Sequence, residues 1–270
     1  MPFRLDGYLT RVGWTGALHP TLATLTALLR AHMARIPFEN LDVLLGTGIR
    51  VDLDSVYAKL VTARRGGYCY EHATLFRAAL EHVGFHPISH AARVVMVAPR
   101  SASPRTHMFL TAAVSGEAFV LDPGFGGHGP LVPVPLVEDR EVREGPDVHR
   151  LTRRDGEWAL EAKIGETMTP LWMSTLEAES PIDFEMANHF TSTWADSPFV
   201  NRLMLRALTP DGRVSVMNRD VTISSGGPIG RIERTQLADR AALRTLLAGH
   251  FGIDLPEVER VRVPSVPEWD

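Results

Sequence analysis

The spacing of apolar residues changes once along this chain of 270 residues, and that change restricts the folds it can adopt. Up to about residue 85, apolar residues recur every three or four positions, as a helix with one buried face requires. The clearest example is the series Leu22, Leu25, Leu29, Met33 and Ile36. From about residue 88 onwards, short valine-rich runs separated by turn signals indicate strands. We therefore predict an α+β fold in which helices precede a mainly antiparallel sheet.

We divide the chain into three parts on this pattern. Residues 1–85 are predicted to form a helical domain, residues 86–200 a mainly antiparallel β domain with a connecting helical segment, and residues 201–270 a smaller α/β domain. Within the second part, Glu138–Arg150 is highly charged, and we expect it to be a solvated excursion. Within the third part, the run Leu203–Leu208 is predicted to begin a hairpin.

Charge and composition exclude several classes of protein. The chain has 28 lysine and arginine residues against 32 aspartate and glutamate residues, a formal net charge of −4, and no basic block that would neutralise phosphates. No apolar run is long enough to span a membrane. We therefore expect neither a nucleic-acid nor a membrane partner. A single cysteine and the absence of a signal peptide predict a cytoplasmic protein, and a homo-oligomer is left open.

The only cysteine, Cys69, follows Gly66 and Gly67 and stands where a predicted helix begins. Unpaired amides and the helix dipole favour a thiolate at such a position, and Arg64 or Arg65 adds positive charge. We therefore expect the pKa of this thiol to lie below its usual ~8.5. The alternative is that Cys69 is a small buried hydrophobic residue without a chemical role.

A predicted hairpin brings a histidine and an aspartate together. With Ser115 and Gly116 as its two turn residues, the register places His107 and Asp122 on one face as diagonal neighbours, roughly 7–8 Å apart. A slip of one residue would put them on opposite faces. The alternative is that Asp122 only opens a turn and that His107 is a polar residue at a strand edge.

Together, Cys69, His107 and Asp122 supply a nucleophile, a base and an orienting carboxylate, the division of roles found in acyl-transferring triads on unrelated folds. With one cysteine and no compact histidine and aspartate cluster, we predict no metal site. The glycine-rich segment 124–129 follows the aspartate. Alone it is a flexible connection, but beside a reactive thiol it becomes a candidate loop for the phosphates of a coenzyme.

Charged residues close to the cysteine have two interpretations. Glu39 and Arg65 either bias the thiolate or form a structural ion pair, and we expect the ion pair because buried charges require partners. Glu71 and His72 lie within one helical turn of Cys69, and they fit capping or surface roles as well as catalytic ones.

Motifs along essentially the whole chain resemble the arylamine N-acetyltransferase family, especially its bacterial members. The matching segments are Asp6–Leu9, Ile36–Leu41, Arg65–Cys69, Thr106–Met108 and Asp122 before Gly124–Gly126. The string Arg-Gly-Gly-aromatic-Cys is the most specific of them. Pro123 departs from the family pattern, which usually has a small aliphatic residue there, and it removes an amide from the loop after Asp122.

The resemblance implies a helical domain, a central antiparallel β-barrel domain and a C-terminal α/β lid around a cysteine-proteinase-like core. It also implies the catalytic triad Cys69, His107 and Asp122, which agrees with the hairpin argument.

The resemblance further assigns binding roles. Phe38, Phe125 and Phe199 correspond to aromatic residues that line the family's acceptor pocket. Gly126 and Gly127 fall in the loop that the family associates with coenzyme A.

The expected function is therefore a ping-pong transfer from acetyl-coenzyme A, a co-substrate, through a thioester on Cys69. The acceptors that the resemblance implies are arylamines, arylhydrazines and N-hydroxyarylamines. Two alternatives remain open. A related amide synthase or thiol hydrolase would use the same triad, and a protein that binds a coenzyme or an aromatic ligand would carry an inert thiol.

Overall fold

The protein is described by a computed structural model that covers residues 2–225 and 230–269. Met1 and Asp270, the outer ends of the first and third predicted domains, lie outside the described residues. The α-helices of the described part are Leu5–Val12 (α1), Leu22–Arg35 (α2), Leu41–Leu44 (α3), Leu53–Tyr57 (α4), Cys69–Val83 (α5), Pro181–Thr193 (α6), Pro198–Asn201 (α7) and Arg240–Leu246 (α8). Short π-helical segments, Ala58–Thr62 and Leu247–Phe251, continue α4 and α8.

The strands begin with a two-residue strand before α3 and otherwise follow α5. They are Phe38–Glu39 (β1), Ile88–Val94 (β2), Arg105–Val114 (β3), Glu117–Leu121 (β4), Val134–Pro135 (β5), Val142–Glu144 (β6), Asp147–Arg154 (β7), Glu157–Ile164 (β8), Thr167–Ser174 (β9), Met204–Thr209 (β10), Gly212–Met217 (β11), Asp220–Ser225 (β12) and Arg231–Gln236 (β13). Short 3₁₀ helices are Arg100–Ala102, Pro256–Arg260 and Pro267–Trp269.

The helical part of the chain has clear start and stop signals. The Thr21 hydroxyl accepts the Thr24 amide at the beginning of α2, and Gly84 ends α5 in the left-handed conformation that favours glycine. The buried side of α2 packs against α1 and α5 and contributes Leu25, Leu28 and Leu29 to the core.

The central part is a curved antiparallel sheet. Among the described residues its eight strands follow the order β5-β4-β3-β2-β9-β8-β7-β6, and it is a nearly closed barrel because β5 at one edge lies beside β7 near the other. Phe109, Leu160 and Trp172 are fully buried inside it. The predicted α+β class and the central barrel are confirmed.

The C-terminal part is built on a second antiparallel sheet, with the strand order β1-β10-β11-β12-β13. Its edge strand β1 comes from the N-terminal third of the chain, where Phe38 pairs with Arg206 of β10. Helix α8 and the C-terminal segment share one hydrophobic core with this sheet. Main-chain hydrogen bonds between β1 and β10 therefore join the predicted helical part to the C-terminal part.

The β3–β4 hairpin has the predicted register. Ser115 and Gly116 both have positive φ, 53° and 85°, as a two-residue turn of this kind requires, and Val114 pairs with Glu117. His107 therefore lies on the same face as the residue that follows β4, Asp122.

The sequence prediction differs from the structure in two regions. Glu138–Arg150 was expected to be a solvated excursion; residues 138–141 are exposed, but β6 and the first half of β7 lie within this segment and His149 is buried. Strands β6 and β7 bury only part of their residues, and charged residues interrupt the apolar alternation that would predict a strand. Strands β12 and β13 were not predicted, since every side chain of β13 is exposed and leaves no apolar alternation to detect.

None of the helices in residues 2–225 and 230–269 combines the length and the apolar content needed to cross a membrane.

Candidate active site

The thiol of Cys69 stands at the first residue of α5 and is buried. Its Sγ lies 3.9 Å from the carbonyl oxygen of Thr106, at the beginning of β3. A capping interaction fixes the start of this helix, because the Glu71 carboxylate accepts the Tyr68 amide at 3.1 Å. The nucleophile candidate therefore sits on a capped helix that points at the barrel strand carrying His107.

The two glycines before the cysteine are required by close packing. A Cβ on Gly66 would lie 2.2 Å from the Pro37 carbonyl oxygen, and one on Gly67 would lie 2.6 Å from an oxygen of Glu71. Main-chain hydrogen bonds join this turn to β1, because the Gly67 amide donates to Pro37 at 3.2 Å and the Glu39 amide donates to Gly67 at 2.9 Å. We call the turn Gly66–Cys69 the nucleophile turn.

His107 and Asp122 form a buried pair. The Nε2 atom of His107 lies 2.9 Å from Oδ2 of Asp122, and the side chains are 4% and 0% exposed. The Trp172 indole Nε1 donates to the same carboxylate oxygen at 2.9 Å. Because Nε2 faces the carboxylate, the other ring nitrogen, Nδ1, is left to face the Cys69 side chain, which helps to favour the charged form of His107.

The surroundings of His107 favour its charged form. Burial by itself would lower the pKa of this imidazole, but the Asp122 carboxylate and the Cys69 side chain outweigh burial and raise the pKa to about 10. The ring is therefore an imidazolium at neutral pH. A cation held beside a thiol stabilises the thiolate, which is the nucleophilic form.

The structure brings the three predicted catalytic residues, Cys69, His107 and Asp122, into one buried cluster. Sequence reasoning missed the fourth member, Trp172, which lies 50 positions beyond Asp122 on β9. The only sequence signal for it is general, since a buried tryptophan usually needs an acceptor for its N–H group.

The three predicted pocket residues surround the same cluster. Phe125 stands edge-on to His107, with ring centroids 5.2 Å apart. Phe38 and Phe199 have centroids 6.4 Å apart, and Phe199 also packs on Tyr68, the residue before the cysteine. The structure thus places flat apolar surfaces on the sides of the candidate thiol that face β1, α7 and the loop after Asp122.

The glycine-rich loop carries the two predicted coenzyme residues. Gly126 has φ of +75° and packs against the Phe38 ring, which a Cβ there would approach to 3.3 Å, whereas a Cβ on Gly127 would meet nothing within 4 Å. Arg206 donates to the Gly126 carbonyl through Nη1, and its buried Nη2 has no hydrogen-bond partner among the described residues. Burial lowers the pKa of Arg206 to about 9. The buried Arg206 guanidinium therefore lies behind this loop with one nitrogen that donates to no acceptor among the described residues.

Five charged side chains lie behind the nucleophile turn, and we call them the ion network. They alternate in sign in the order Glu39, Arg65, Asp42, Lys59 and Glu71, with successive nitrogen–oxygen distances of 2.7, 2.9, 2.8 and 2.8 Å. The Glu39 and Glu71 side chains are 0% and 1% exposed. The predicted ion pair between Glu39 and Arg65 is present, and Glu71 is a buried capping residue and not a surface one.

No group of three or more histidine, cysteine, aspartate or glutamate side chains in residues 2–225 and 230–269 is arranged to hold a metal ion.

The chain is similar in sequence and fold to known acetyltransferases. A model of the N-acetyltransferase family matches residues 21–260. The arylamine N-acetyltransferase of Mycolicibacterium smegmatis is 35% identical over 96% of this chain and 94% of the relative. An arylamine N-acetyltransferase / N-hydroxyarylamine O-acetyltransferase of Salmonella typhimurium is 33% identical over 94% of this chain and 90% of the relative. The solved structure of the Mycobacterium marinum arylamine N-acetyltransferase in complex with CoA superposes with a TM-score of 0.87, at 33% identity and 94% coverage of both chains.

Proposed function

This chain belongs to the arylamine N-acetyltransferase family, and we propose that it carries an acetyl group on Cys69 between acetyl-coenzyme A and an aromatic amine. That the protein is an acetyltransferase follows from its family. The ping-pong route through a cysteine thioester is our proposal. The observation that supports it most is the buried pair of His107 and Asp122, with the Cys69 thiol beside Thr106, the residue before His107.

In the first half-reaction, the Cys69 thiolate attacks the carbonyl carbon of acetyl-coenzyme A. The new carbon–sulfur bond forms as the bond to the coenzyme sulfur breaks, and His107 gives its proton to the departing thiolate. Asp122 keeps the imidazolium oriented and charged until that transfer. The products of this step are acetyl-Cys69, free coenzyme A and a neutral His107.

In the second half-reaction, the amine nitrogen attacks the thioester of acetyl-Cys69. His107, now neutral, takes the proton that the nitrogen loses as the carbon–sulfur bond to Cys69 breaks. The amide leaves, and the thiolate and the imidazolium are restored together. One histidine therefore acts as acid in one half-reaction and as base in the other.

Aromatic acceptors fit the surfaces around the thiol. Phe38, Phe125 and Phe199 offer ring faces and edges to a flat neutral amine. We propose arylamines, arylhydrazines and N-hydroxyarylamines as acceptors. The Salmonella typhimurium relative is named for the last of these classes.

The coenzyme is proposed to lie along the loop that contains Gly126 and Gly127. A phosphate group can approach the backbone closely at Gly127, where no neighbouring atom occupies the space that a side chain would fill. Arg206 lies behind this loop and keeps one guanidinium nitrogen without a partner among the described residues. The Mycobacterium marinum relative is named as a complex with CoA, which supports coenzyme binding in this fold.

We further propose that the enzyme is cytoplasmic, that it needs no metal, and that residues 1–85, 86–200 and 201–270 are its three domains. Full activity after treatment with a chelator is the expected result for the second point.

Intact-mass analysis after mixing with acetyl-coenzyme A and no amine tests the thioester directly. One added acetyl group is expected on the parent enzyme and none on Cys69→Ala. Asp122→Asn removes the charge that raises the pKa of His107, so acetylation at pH 7 should slow by roughly 100-fold or more. An acetyl group that persists in Cys69→Ala would contradict the proposal.

A second measurement separates transfer from hydrolysis. Release of coenzyme A beyond one equivalent should occur only when an arylamine is present. Steady release without an amine would favour a thiol hydrolase, and formation of a cyclic amide from a tethered amine would favour an amide synthase.

A further inference from the structure

Three buried side chains from three helices form a hydrogen-bonded chain that ends beside the nucleophile turn. The Tyr8 hydroxyl of α1 lies 3.1 Å from Nδ1 of His32 on α2, and Nε2 of His32 lies 2.9 Å from Nδ1 of His72 on α5. The chain ends where Nε2 of His72 lies 3.2 Å from the carbonyl oxygen of Pro37. All three side chains are at most 1% exposed. We call Tyr8, His32 and His72 the relay.

The carbonyl at its end fixes the direction of the relay. A carbonyl oxygen can only accept, so Nε2 of His72 carries the proton and donates to Pro37. A neutral imidazole has one N–H, so Nδ1 of His72 accepts from Nε2 of His32, and by the same reasoning Nδ1 of His32 accepts from the Tyr8 hydroxyl. Burial lowers the pKa of both histidines, that of His72 to about 4, in agreement with two neutral rings.

The acceptor at the end of the relay also holds the nucleophile turn. The Pro37 oxygen accepts the Gly67 amide at 3.2 Å as well as the His72 side chain, and it lies so close to Gly66 that a Cβ there would come within 2.2 Å of it. His72 therefore bonds to the same atom that anchors the residue two positions before Cys69.

His72 also contacts the loop that follows the catalytic carboxylate. A Cβ built on Gly124 would lie 2.6 Å from the Cα of Cys69 and 3.1 Å from the Cβ of His72, so this loop packs directly on both residues. His72 thus bonds to the anchor of the nucleophile through its ring and packs on the segment after Asp122 through its Cβ.

From this arrangement we propose that His72 is a positioning residue for the transfer reaction. It sets the distance between the Cys69 thiol and the His107–Asp122 pair. Its ring is held in place by the single tautomer that the Pro37 carbonyl selects and by the His32 donor on its other nitrogen. The inference rests on the proposed function only in the choice of reacting thiol. An apolar side chain of similar size would fill the space but would leave the Pro37 oxygen held by the Gly67 amide alone.

The first experiment compares His72→Leu with His72→Gln. The glutamine can keep a donor for Pro37, and the leucine cannot. The rate of Cys69 alkylation by iodoacetamide and the rate of acetylation are measured from pH 5 to pH 9, with thermal unfolding of each variant. We expect both rates to fall roughly 10- to 100-fold in His72→Leu, because small misplacements of reacting groups have effects of this size, and to recover to within about 5-fold in His72→Gln.

His90→Leu is the matched control. His90 is also a buried histidine with two hydrogen bonds, to Glu177 and Thr111, but it lies outside the relay. It should lose stability while Cys69 keeps its alkylation rate. Equal alkylation rates in folded His72→Leu and in the parent enzyme would overturn the proposal.

Nitrogen NMR of the parent enzyme tests the same inference without any variant. Signals of neutral Nε2–H tautomers for His32 and His72 at pH 7 are expected, and an Nδ1–H tautomer or an imidazolium at His72 would contradict it. Alkylation needs no acetyl-coenzyme A. If the parent enzyme is alkylated but never acetylated, the proposed function fails while the positioning role is still tested.

Discussion

The nucleophile turn is supported on one side by charges and on the other by neutral rings. The ion network holds it through Glu39, whose main-chain amide bonds to Gly67, and through Glu71, which caps α5. The relay reaches the same turn through the Pro37 carbonyl and carries no net charge. The relay is buried, the ion network is buried at Glu39 and Glu71 and partly buried at its other three members, and both regions contact the turn that carries Cys69.

The difference between them lies in what happens when one member is removed. A buried charge that loses its partner keeps its desolvation cost, so each member of the ion network depends on the next. A neutral ring that loses one hydrogen bond leaves a single polar atom unsatisfied. We therefore expect the ion network to set the stability of the turn and the relay to set its alignment.

Loss of Lys59 is expected to have the largest effect on stability. Lys59→Met leaves Glu71 without its cation and Asp42 with one partner fewer. Measured by urea unfolding at pH 8, where the Glu71 carboxyl of the parent is ionised, the free energy of unfolding should fall by about 3–5 kcal/mol.

The control is Arg50→Met, which breaks the exposed pair of Arg50 with Asp52 and should change stability by no more than about 0.5 kcal/mol. A loss below about 1 kcal/mol for Lys59→Met would mean that the ion network is no more important than a surface pair.

Only part of these two regions could be predicted from the sequence. The pair of Glu39 and Arg65 was expected because buried charges require partners. The relay was not, since Tyr8, His32 and His72 are 24 and 40 positions apart on three helices, and no repeat or register rule links them.

The β3–β4 hairpin shows the opposite case. Its two turn residues fix the pairing, and the pairing places His107 with Asp122, so local sequence determines the contact. Trp172 reaches the same carboxylate through the curvature of the barrel, which no local pattern encodes. Local sequence therefore predicts the contact within this hairpin, and it did not predict how the separate elements that carry Trp172 and the relay meet in the core.

Trp172→Phe should reduce the free energy of unfolding by less than Lys59→Met and by more than Tyr8→Phe, because the hydrogen bond it removes joins a neutral donor to a charged acceptor. Oδ2 of Asp122 keeps His107 but loses the indole, and hydrogen bonds to charged groups contribute about 1.5–3 kcal/mol. Chemical denaturation should show a loss of that size.

Trp158→Phe, at a partly exposed position of the same barrel, serves as its control and should cost less than about 1 kcal/mol. If the two phenylalanine variants were equally stable, the indole would contribute nothing to holding Asp122.

The pH dependence of stability distinguishes the two regions by sign. Burial raises the pKa of Glu71 to about 7, although Lys59 acts against it, so the native state holds a proton that the unfolded chain lacks between about pH 4.5 and 7. Stability from Glu71 therefore decreases as pH rises through that window. Burial lowers the pKa of His72 to about 4, so the unfolded chain binds the extra proton between about pH 4 and 6.5, and stability from His72 is lost as pH falls.

Single variants should separate these opposed contributions. Between pH 4.5 and 6.5, Glu71→Gln should make stability depend more steeply on pH, by up to about 1.4 kcal/mol per pH unit, because the opposing contribution of Glu71 is removed. His72→Gln should change the slope by a similar amount in the other direction. Urea titrations at half-unit pH steps measure both slopes, and variants that shift the slope in the same direction would contradict the assignment of charge states.

Tyr8→Phe is expected to have the smallest effect and is the sharpest test of the comparison. It removes the first donor of the relay and leaves Nδ1 of His32 as a buried acceptor without its hydroxyl, for which a loss of about 0.5–1.5 kcal/mol is expected. Tyr57→Phe, in the same core but outside the relay, should cost less. Because His32 still donates to His72, the alkylation rate of Cys69 should stay within about 3-fold of the parent. A loss in Tyr8→Phe as large as that in Lys59→Met would show that the relay stabilises the turn as strongly as the charges do, and the separation of stability from alignment would then fail.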